Sequence, residues 1–184
     1  MQLLPTTWWK RVLNVENFYM KKIQSLALGR VLEIGTGIGR NLVWLNDSVG
    51  VDHNEHSVAV AKERGLNSYT NKEFHKSKWA TNGYFDSLIF VHVMEHLLVS
   101  EADMLLGEFR KYLKPHGRLL IICPQEKGFR SDETHICFFD FGLAETLGVK
   151  NKFGVVTQKS FPLPRLAGKI FRGNEFISVF TSTI

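Results

Sequence analysis

The chain lacks the features of a secreted or membrane-spanning protein. Its 184 residues include only two cysteines, Cys123 and Cys137, too few for the disulfide framework of a small secreted domain. No run of about 18 apolar residues occurs, so no segment is a candidate for a spanning helix. Residues 1–5 have neither the basic flank nor the apolar stretch of a signal peptide. We therefore expect free thiols, with Cys123 buried, and a cytoplasmic protein.

The amino-acid composition also lacks any strong bias toward one class of residue. Apolar residues make up 44% and charged residues 22% of the chain. This balance excludes collagen-like, disordered and coiled-coil proteins. A length of 184 residues is enough for a three-layer core and too short for a large multidomain enzyme. We predict one domain over 1–184.

Charge is distributed unevenly along the chain. The formal net charge is +5, and residues 1–149 balance to zero. Residues 150–184 therefore carry the whole excess, from Lys150, Lys152, Lys159, Arg165, Lys169 and Arg172 against the one acid, Glu175. A basic local field attracts phosphates, nucleic acid or anionic lipid, whereas the alternative explanation is a solvated lysine-rich surface.

Short apolar runs alternate with amphipathic segments through residues 30–124. The runs predict five strands, at 30–34, 49–52, 66–70, 86–93 and 118–123. A short helix near 140–148 and two further strands, at 153–161 and 174–182, follow. The pattern predicts an α/β fold: a doubly wound, mostly parallel seven-stranded sheet with helices on both faces and a C-terminal antiparallel hairpin. Its parts are an N-terminal helical segment (1–29), a core (30–124), and a loop with the terminal hairpin (125–184).

Local signals place several helices. Apolar spacing predicts a helix over 8–28, whose Trp8 and Trp9 either pack against the core or form a lid. A second helix is expected to continue from the glycine-rich turn through Leu42 and Leu45. Asn54 is suited to cap a helix at 55–64. Ser100 and Asp103 have the spacing of a capping box for a further helix.

A glycine-rich loop follows the first predicted strand. It reads Gly35-Thr36-Gly37-Ile38-Gly39, and glycine lets a backbone turn sharply and a ligand approach closely. Asp52 ends the second predicted strand, where a carboxylate can accept both hydroxyls of a ribose. The structural alternative is a tight turn with a capping aspartate.

The residues around this loop favour a cationic cofactor over a dinucleotide. The dinucleotide fingerprint would place its third glycine at position 40, which is Arg40. A pyrophosphate would also be drawn to a helix N-terminus, whereas Glu33 beside the loop suits an ammonium or sulfonium group. The sequence therefore favours S-adenosylmethionine, with a dehydrogenase as the disfavoured alternative.

Four stretches carry a family resemblance. They are Val31-Leu32-Glu33-Ile34-Gly35-Thr36-Gly37-Ile38-Gly39, Val49-Gly50-Val51-Asp52, Tyr84 to Leu97 with Glu95-His96-Leu97 at its end, and Leu113-Lys114-Pro115-His116-Gly117-Arg118-Leu119-Leu120. With them the chain resembles the class I S-adenosylmethionine-dependent methyltransferases. Glu95-His96-Leu97 and the segment from Asp132 to Phe139 are similar to the small-molecule branch, methyltransferase type 11/12.

The resemblance implies roles for particular residues. Glu33 and Gly35 would lie near the methionine part of the cofactor, Asp52 on its ribose, and His53 with Asn54 beside the adenosine. Thr36, Gly37 and Gly39 are the further cofactor-binding candidates of the loop. Glu73 and Phe74 are the candidates for the adenine edge, although the usual Gly-Asp lead-in is absent. The backbone at Val91 and His92 would approach the sulfonium.

His135 and His92 are the candidate catalytic bases. His92 lies at the carboxyl end of a central strand, and His135 in the loop after the fifth strand near acidic residues. For each, the alternative is a structural or packing histidine. The seven histidines show no paired metal-ligand spacing, and His96 is interpreted as packing, so no metal is expected.

The functional prediction is methyl transfer from S-adenosylmethionine to a small-molecule acceptor, at a hydroxyl oxygen. The basic segment 150–184 favours an anionic or phosphate-bearing acceptor. One alternative is an RNA methyltransferase, weakened because no added RNA-binding domain is evident. The other is a non-catalytic S-adenosylmethionine-binding subunit. A monomer or homodimer without a membrane span is expected.

Overall fold

Seven strands form one mixed sheet in a computed structural model of the protein, which describes residues 21–184. The strand order is β3-β2-β1-β4-β5-β7-β6. Neighbours among β1–β5 are parallel, and β7 is antiparallel to both β5 and β6. The strands are β1 (Val31–Ile34), β2 (Ser48–Asp52), β3 (Ser68–Thr70), β4 (Phe85–Val91), β5 (Leu113–Pro124), β6 (Phe153–Phe161) and β7 (Glu175–Ser182). The predicted fold class and terminal hairpin are confirmed.

Helices and short 3₁₀ turns connect the strands. The α-helices are α1 (Glu55–Glu63), α2 (Asn71–His75), α3 (Val99–Arg110), α4 (Glu126–Phe129) and α5 (Phe141–Lys150). The 3₁₀ turns are Leu42–Trp44, Met94–His96 and Arg165–Lys169. As predicted, the Asn54 side chain caps α1 by accepting from the Ser57 N–H over 3.0 Å. None of the helices within 21–184 has the length and apolar character needed to cross a bilayer.

The central strands are apolar on both faces because both faces of the sheet are covered. In β5, Leu119 and Ile121 pack in a core with α3 and α5, whereas Leu120 and Ile122 pack on the other face with the segment containing Ile23. Successive strand residues point to opposite faces, so a strand covered twice needs a continuous apolar run. Cys123 is buried in this core as a free thiol, as expected.

Two predicted helices need correction, and part of the first lies outside the described residues. The predicted helix at 8–28 is helical at 21–24 and turns at 25–26, and Trp8 and Trp9 lie outside the described residues. The expected helix after the glycine loop is only the 3₁₀ turn Leu42–Trp44, because the chain enters β2 already at Ser48.

The predicted capping box of Ser100 and Asp103 is wrong. Helix α3 begins two residues earlier than a cap at Ser100 implies, at Val99, and it is Glu101 whose carboxylate accepts the Leu98 N–H over 2.8 Å. Asp103 instead accepts from the Asn151 amide at 2.9 Å and pairs with Lys150. The strand predicted at 118–123 also begins earlier, at Leu113.

Candidate active site

The predicted site residues converge on the carboxyl edge of the parallel strands. The glycine loop follows β1, Asp52 ends β2 and His92 follows β4. Because β7 runs in the opposite direction, its first residue, Glu175, lies at the same edge and pairs with Pro124 at the end of β5. Ligands of open α/β sheets bind at this edge.

The glycines of the loop adopt backbone conformations that other residues rarely adopt, and one of them makes a contact too close for a Cβ. Gly35, Gly37 and Gly39 have φ angles of 76°, 54° and 78°. A Cβ on Gly35 would lie 2.3 Å from Val93 Cγ2, whereas no described residue lies within 4 Å of a Cβ on Gly37. The loop therefore packs tightly on the β4 tip at Gly35 and leaves open space at Gly37.

Asp52 holds the loop in place. Its Oδ2 accepts the Gly37 N–H over 2.7 Å and its Oδ1 accepts the Asn54 N–H over 2.8 Å. Each carboxylate oxygen has a second lone pair, so both can still accept from a ligand hydroxyl. The neighbouring His53 side chain is 93% exposed, with Nδ1 3.6 Å from Asp52 Oδ1.

Glu33 is a buried carboxylate under the loop. It accepts from Thr36 Oγ1 over 2.8 Å and from the Asn41 amide over 2.6 Å, and it has no cationic partner among the described residues. Burial raises the pKa of Glu33 to about 7, against the hydrogen bonds from Asn41 and Thr36, with a further increase from Asp52. A cationic ligand beside this group would stabilise its ionised form.

The candidates for the adenine edge have structural contacts. Glu73 accepts the Thr70 N–H over 2.8 Å, and Thr70 Oγ1 accepts the Glu73 N–H, which forms a capping box at α2. Glu73 also pairs with Lys62. Phe74 is fully buried and packs edge-on against Tyr112. The assignment of these two residues to adenine stays a prediction. Val91 ends β4 and is buried.

His92 bridges two carboxylates. Its Nδ1 lies 3.2 Å from Glu95 Oε1 and its Nε2 lies 2.9 Å from Glu175 Oε1. Burial opposes the charged form, but the bonds to Glu175 and Glu95 outweigh it and raise the pKa of His92 to about 10. An imidazolium with both nitrogens engaged has no lone pair to receive a proton, which argues against His92 as the base.

His135 lies beside His96 in a cavity at the same edge. The cavity has a volume of about 410 Å³, and its lining includes Arg40, His92, His96, His135, Arg172 and Glu175. The rings of His96 and His135 are 4.7 Å apart at their centres. His135 stacks on Phe129 and donates from Nδ1 to the Phe129 carbonyl over 2.8 Å.

Sequence reasoning missed the grouping of Glu95, His96 and His135. One potential ligand atom from each lies within 4.8 Å of the other two. Glu95 and His96 are adjacent, but His135 comes from a loop beyond α4, so no sequence spacing indicates the cluster. The prediction of His96 as a packing residue took no account of this neighbour.

Together, the seven-stranded sheet and the glycine loop after β1 define a Rossmann-like protein whose candidate site lies at the carboxyl edge of the parallel strands. The sequence profile of the methyltransferase domain family matches residues 12–147, and the chain belongs to this family. No curated protein sequence matches the chain significantly.

Solved methyltransferase structures share the fold at low sequence identity. An S-adenosylmethionine-dependent methyltransferase from Archaeoglobus fulgidus aligns with a TM-score of 0.71 at 17% identity, over 91% of this chain and 94% of that one. Magnesium protoporphyrin IX methyltransferase from Synechocystis, with bound S-adenosylhomocysteine, aligns with a TM-score of 0.67 at 13% identity, over 100% and 90%. A Thermotoga maritima S-adenosylmethionine-dependent methyltransferase aligns with a TM-score of 0.67 at 19% identity, over 96% and 95%.

Proposed function

We propose that the chain transfers a methyl group from S-adenosylmethionine to the hydroxyl oxygen of a small anionic acceptor. Membership of the methyltransferase domain family supports the reaction class. The observation that carries the acceptor class is the cavity of about 410 Å³ beside the β4 tip, which lies in the usual size range for small-molecule sites.

The residues around the loop fit this cofactor. Open space at Gly37 allows a ligand to approach the backbone, and Gly35 to Gly39 present no large side chain other than Ile38. Asp52 would accept the ribose hydroxyls, and Glu33 would face the cationic methionine end. A buried acid with a pKa of about 7 and no cation of its own is suited to a ligand that brings one.

S-adenosylmethionine supplies a methyl carbon activated by positively charged sulfur, so the protein chiefly has to align the acceptor oxygen with that carbon. Alignment of this kind can contribute about 7–11 kcal/mol to catalysis. The tip of β4 at Val91 and the imidazolium of His92 would form the wall between cofactor and acceptor. His135 would act on the hydroxyl proton of the acceptor.

The positive groups of the cavity support an anionic acceptor. Arg40 and Arg172 both line it, and guanidinium groups bind phosphate and carboxylate with two hydrogen bonds. Arg165, in contrast, forms two bonds of 2.7 and 2.6 Å with Glu126. Among the basic residues of 150–184, Arg172 is therefore our candidate anion-binding residue.

The test is a titration of the purified chain with S-adenosylhomocysteine beside NADH, followed by methyl transfer to hydroxyl acceptors with and without a phosphate. We expect binding of S-adenosylhomocysteine, no tight NADH binding, and preference for phosphorylated acceptors. Micromolar NADH affinity without a response to S-adenosylhomocysteine would overturn the cofactor assignment. Methylation of RNA with no small acceptor would overturn the acceptor class.

A further inference from the structure

The cluster of Glu95, His96 and His135 has the composition of a metal site. Two imidazoles and one carboxylate are a common ligand set for catalytic zinc, which keeps a further position open for water or substrate. One potential ligand atom from each residue lies within 4.8 Å of the other two. We propose that these three residues bind a divalent transition metal ion, with zinc as the best match.

The hydrogen bonds of the two histidines leave the correct nitrogen free. His135 Nδ1 lies 2.8 Å from the Phe129 carbonyl oxygen, and His96 Nδ1 lies 3.2 Å from the Thr134 carbonyl oxygen. A carbonyl oxygen only accepts, and Thr134 Oγ1, which lies 3.1 Å from His96 Nδ1, donates its own proton to Asp132. Nδ1 therefore carries the proton in each neutral ring and Nε2 carries the lone pair. Metal-binding histidines typically have this second-shell arrangement, in which the other ring nitrogen donates to a carbonyl.

Glu95 supplies the buried negative charge. Its side chain is fully buried, Oε1 bonds to His92, and Oε2 has no partner within hydrogen-bonding geometry among residues 21–184. The Cys123 thiol is a close neighbour, and its pKa is raised by burial and by Glu95. A buried carboxylate oxygen without a donor is costly, and a metal ion would satisfy it. The neighbouring carboxylate of Glu175 is already paired with His92.

Both signs of charge line this cavity, with Arg40, Arg172 and the His92 imidazolium on one side of the balance and the acids Asp132 and Glu175 on the other. Asp132 is hydrogen-bonded to Thr134, whose carbonyl faces His96. Ligands of one zinc ion at 2.0–2.2 Å lie roughly 3–3.5 Å from one another, so binding would draw the three residues together. A mixed imidazole and carboxylate set suits zinc better than magnesium, which prefers oxygen ligands and bound water.

Within the proposed function, on which this step rests, the metal would polarise the acceptor. His96 and His135 line the cavity, so an acceptor hydroxyl there could bind the metal in place of a water molecule. Coordination lowers the pKa of the hydroxyl, and the proton passes to solvent through the open cavity. On this proposal His135 activates the hydroxyl through the metal rather than by taking the proton itself.

The test measures metal binding directly on the full chain after treatment with a chelator. Zn²⁺ is titrated against a chromogenic competitor for the wild type, His96→Ala, His135→Ala, Glu95→Gln and the control His56→Ala, which alters an exposed histidine on α1. We expect one tight site in the wild type and the control, weakened a hundred-fold or more in the other three. Even loss of a second-shell partner typically costs 10–100-fold in metal affinity. Equal zinc affinity in all five proteins would overturn the proposal.

The visible absorption spectrum of Co²⁺ bound to the wild type tests the site independently, in case a variant fails to fold. We expect the intense visible absorption of a four- or five-coordinate site, and a weak octahedral spectrum would overturn the proposal. S-adenosylhomocysteine is titrated into the same samples. Zinc binding without S-adenosylhomocysteine binding would overturn the proposed function alone, and the converse would overturn the metal site alone.

Discussion

Gly35 presses against Val93 so closely that the two residues lock the glycine loop to the tip of β4. A Cβ on Gly35 would lie 2.3 Å from Val93 Cγ2, and the next nearest atom, Val93 Cβ, would be 3.5 Å away. The contact of Gly35 with Val93 therefore acts together with the bond from Gly37 to Asp52 in positioning the loop beside the end of β4.

Gly35→Ala should destabilise the protein more than Gly65→Ala. Both glycines have a φ of +76°, so each alanine carries a strain of about 1–2 kcal/mol, but no described residue lies within 4 Å of a Cβ on Gly65. The clash at Gly35 should add about 1–3 kcal/mol. Urea denaturation of both variants measures the difference. Val93→Ala, added to Gly35→Ala, should recover most of the excess, and no recovery would contradict the proposed contact.

Glu33 should make stability depend on pH. Its folded pKa of about 7 exceeds the ordinary 4.5, so the folded protein binds this proton more tightly than the unfolded chain. The stabilisation is complete below about pH 4.5 and is lost as pH rises through 7, by roughly 3 kcal/mol in total. Urea denaturation of the wild type and Glu33→Gln across this range should give profiles that diverge by that amount. Parallel profiles would show that Glu33 ionises normally.

Cofactor binding should release a proton from Glu33. At about pH 6 most of this carboxyl is protonated, and an ammonium or sulfonium beside it would favour the ionised form. Calorimetric titration with S-adenosylmethionine in two buffers of different ionisation enthalpy should report release of close to one proton. At about pH 8 the release should nearly vanish, and Glu33→Gln should release none at either pH.

Asp52→Ala should weaken S-adenosylhomocysteine binding by about ten- to a hundred-fold. Hydrogen bonds to a charged acceptor contribute roughly 1.5–3 kcal/mol, and the change also frees Gly37 from the carboxylate. The matched control is Asp47→Ala, which removes a half-exposed carboxylate paired with Arg30. An unchanged dissociation constant for Asp52→Ala would remove this residue from the site.

Arg172 and Arg165 should respond differently to alanine substitution. Arg172 lines the cavity, so Arg172→Ala should raise the KM for a phosphorylated acceptor about ten-fold and leave the melting temperature nearly unchanged. Arg165 is paired with Glu126 and covers the Phe176 ring at 4.7 Å, so Arg165→Ala should chiefly lower the melting temperature. The reverse pattern in steady-state kinetics and thermal melts would contradict the assignment.

Local signals in the sequence were sufficient for the sheet and for the residues after β1 and β2. Alternating strand and helix patterns, and the end of the second strand at Asp52, depend on neighbours a few residues away, which a sequence shows directly. Ser100 is not a cap because the helix already begins at Val99, with Glu101 rather than Asp103 in the position that accepts the N-cap N–H. Local spacing cannot decide between two such competitors.

The parts that the sequence did not predict depend on distant pairs. The role of His92 is set by Glu175, which reaches it only because β7 inserts between β5 and β6. His96 meets His135 through the loop beyond α4, and Glu33 acquires its pKa from burial. The partner, the burial and the charge state of a side chain depend on the tertiary structure. The residue types alone therefore indicated candidate site residues but not their roles.

Because β7 lies between β5 and β6 in the sheet, β5 must wait for its neighbouring strand while the chain is synthesised. A ribosome completes β5 at Pro124 and must add 58 more residues before Ser182 completes the strand that pairs with it. At about 5–20 residues per second this takes roughly 3–12 seconds. During that interval β5 has an unpaired edge, which is prone to pair with another chain. Slower chain elongation at low temperature should prolong this interval. A chaperone that covers exposed strand edges should raise the yield of folded protein.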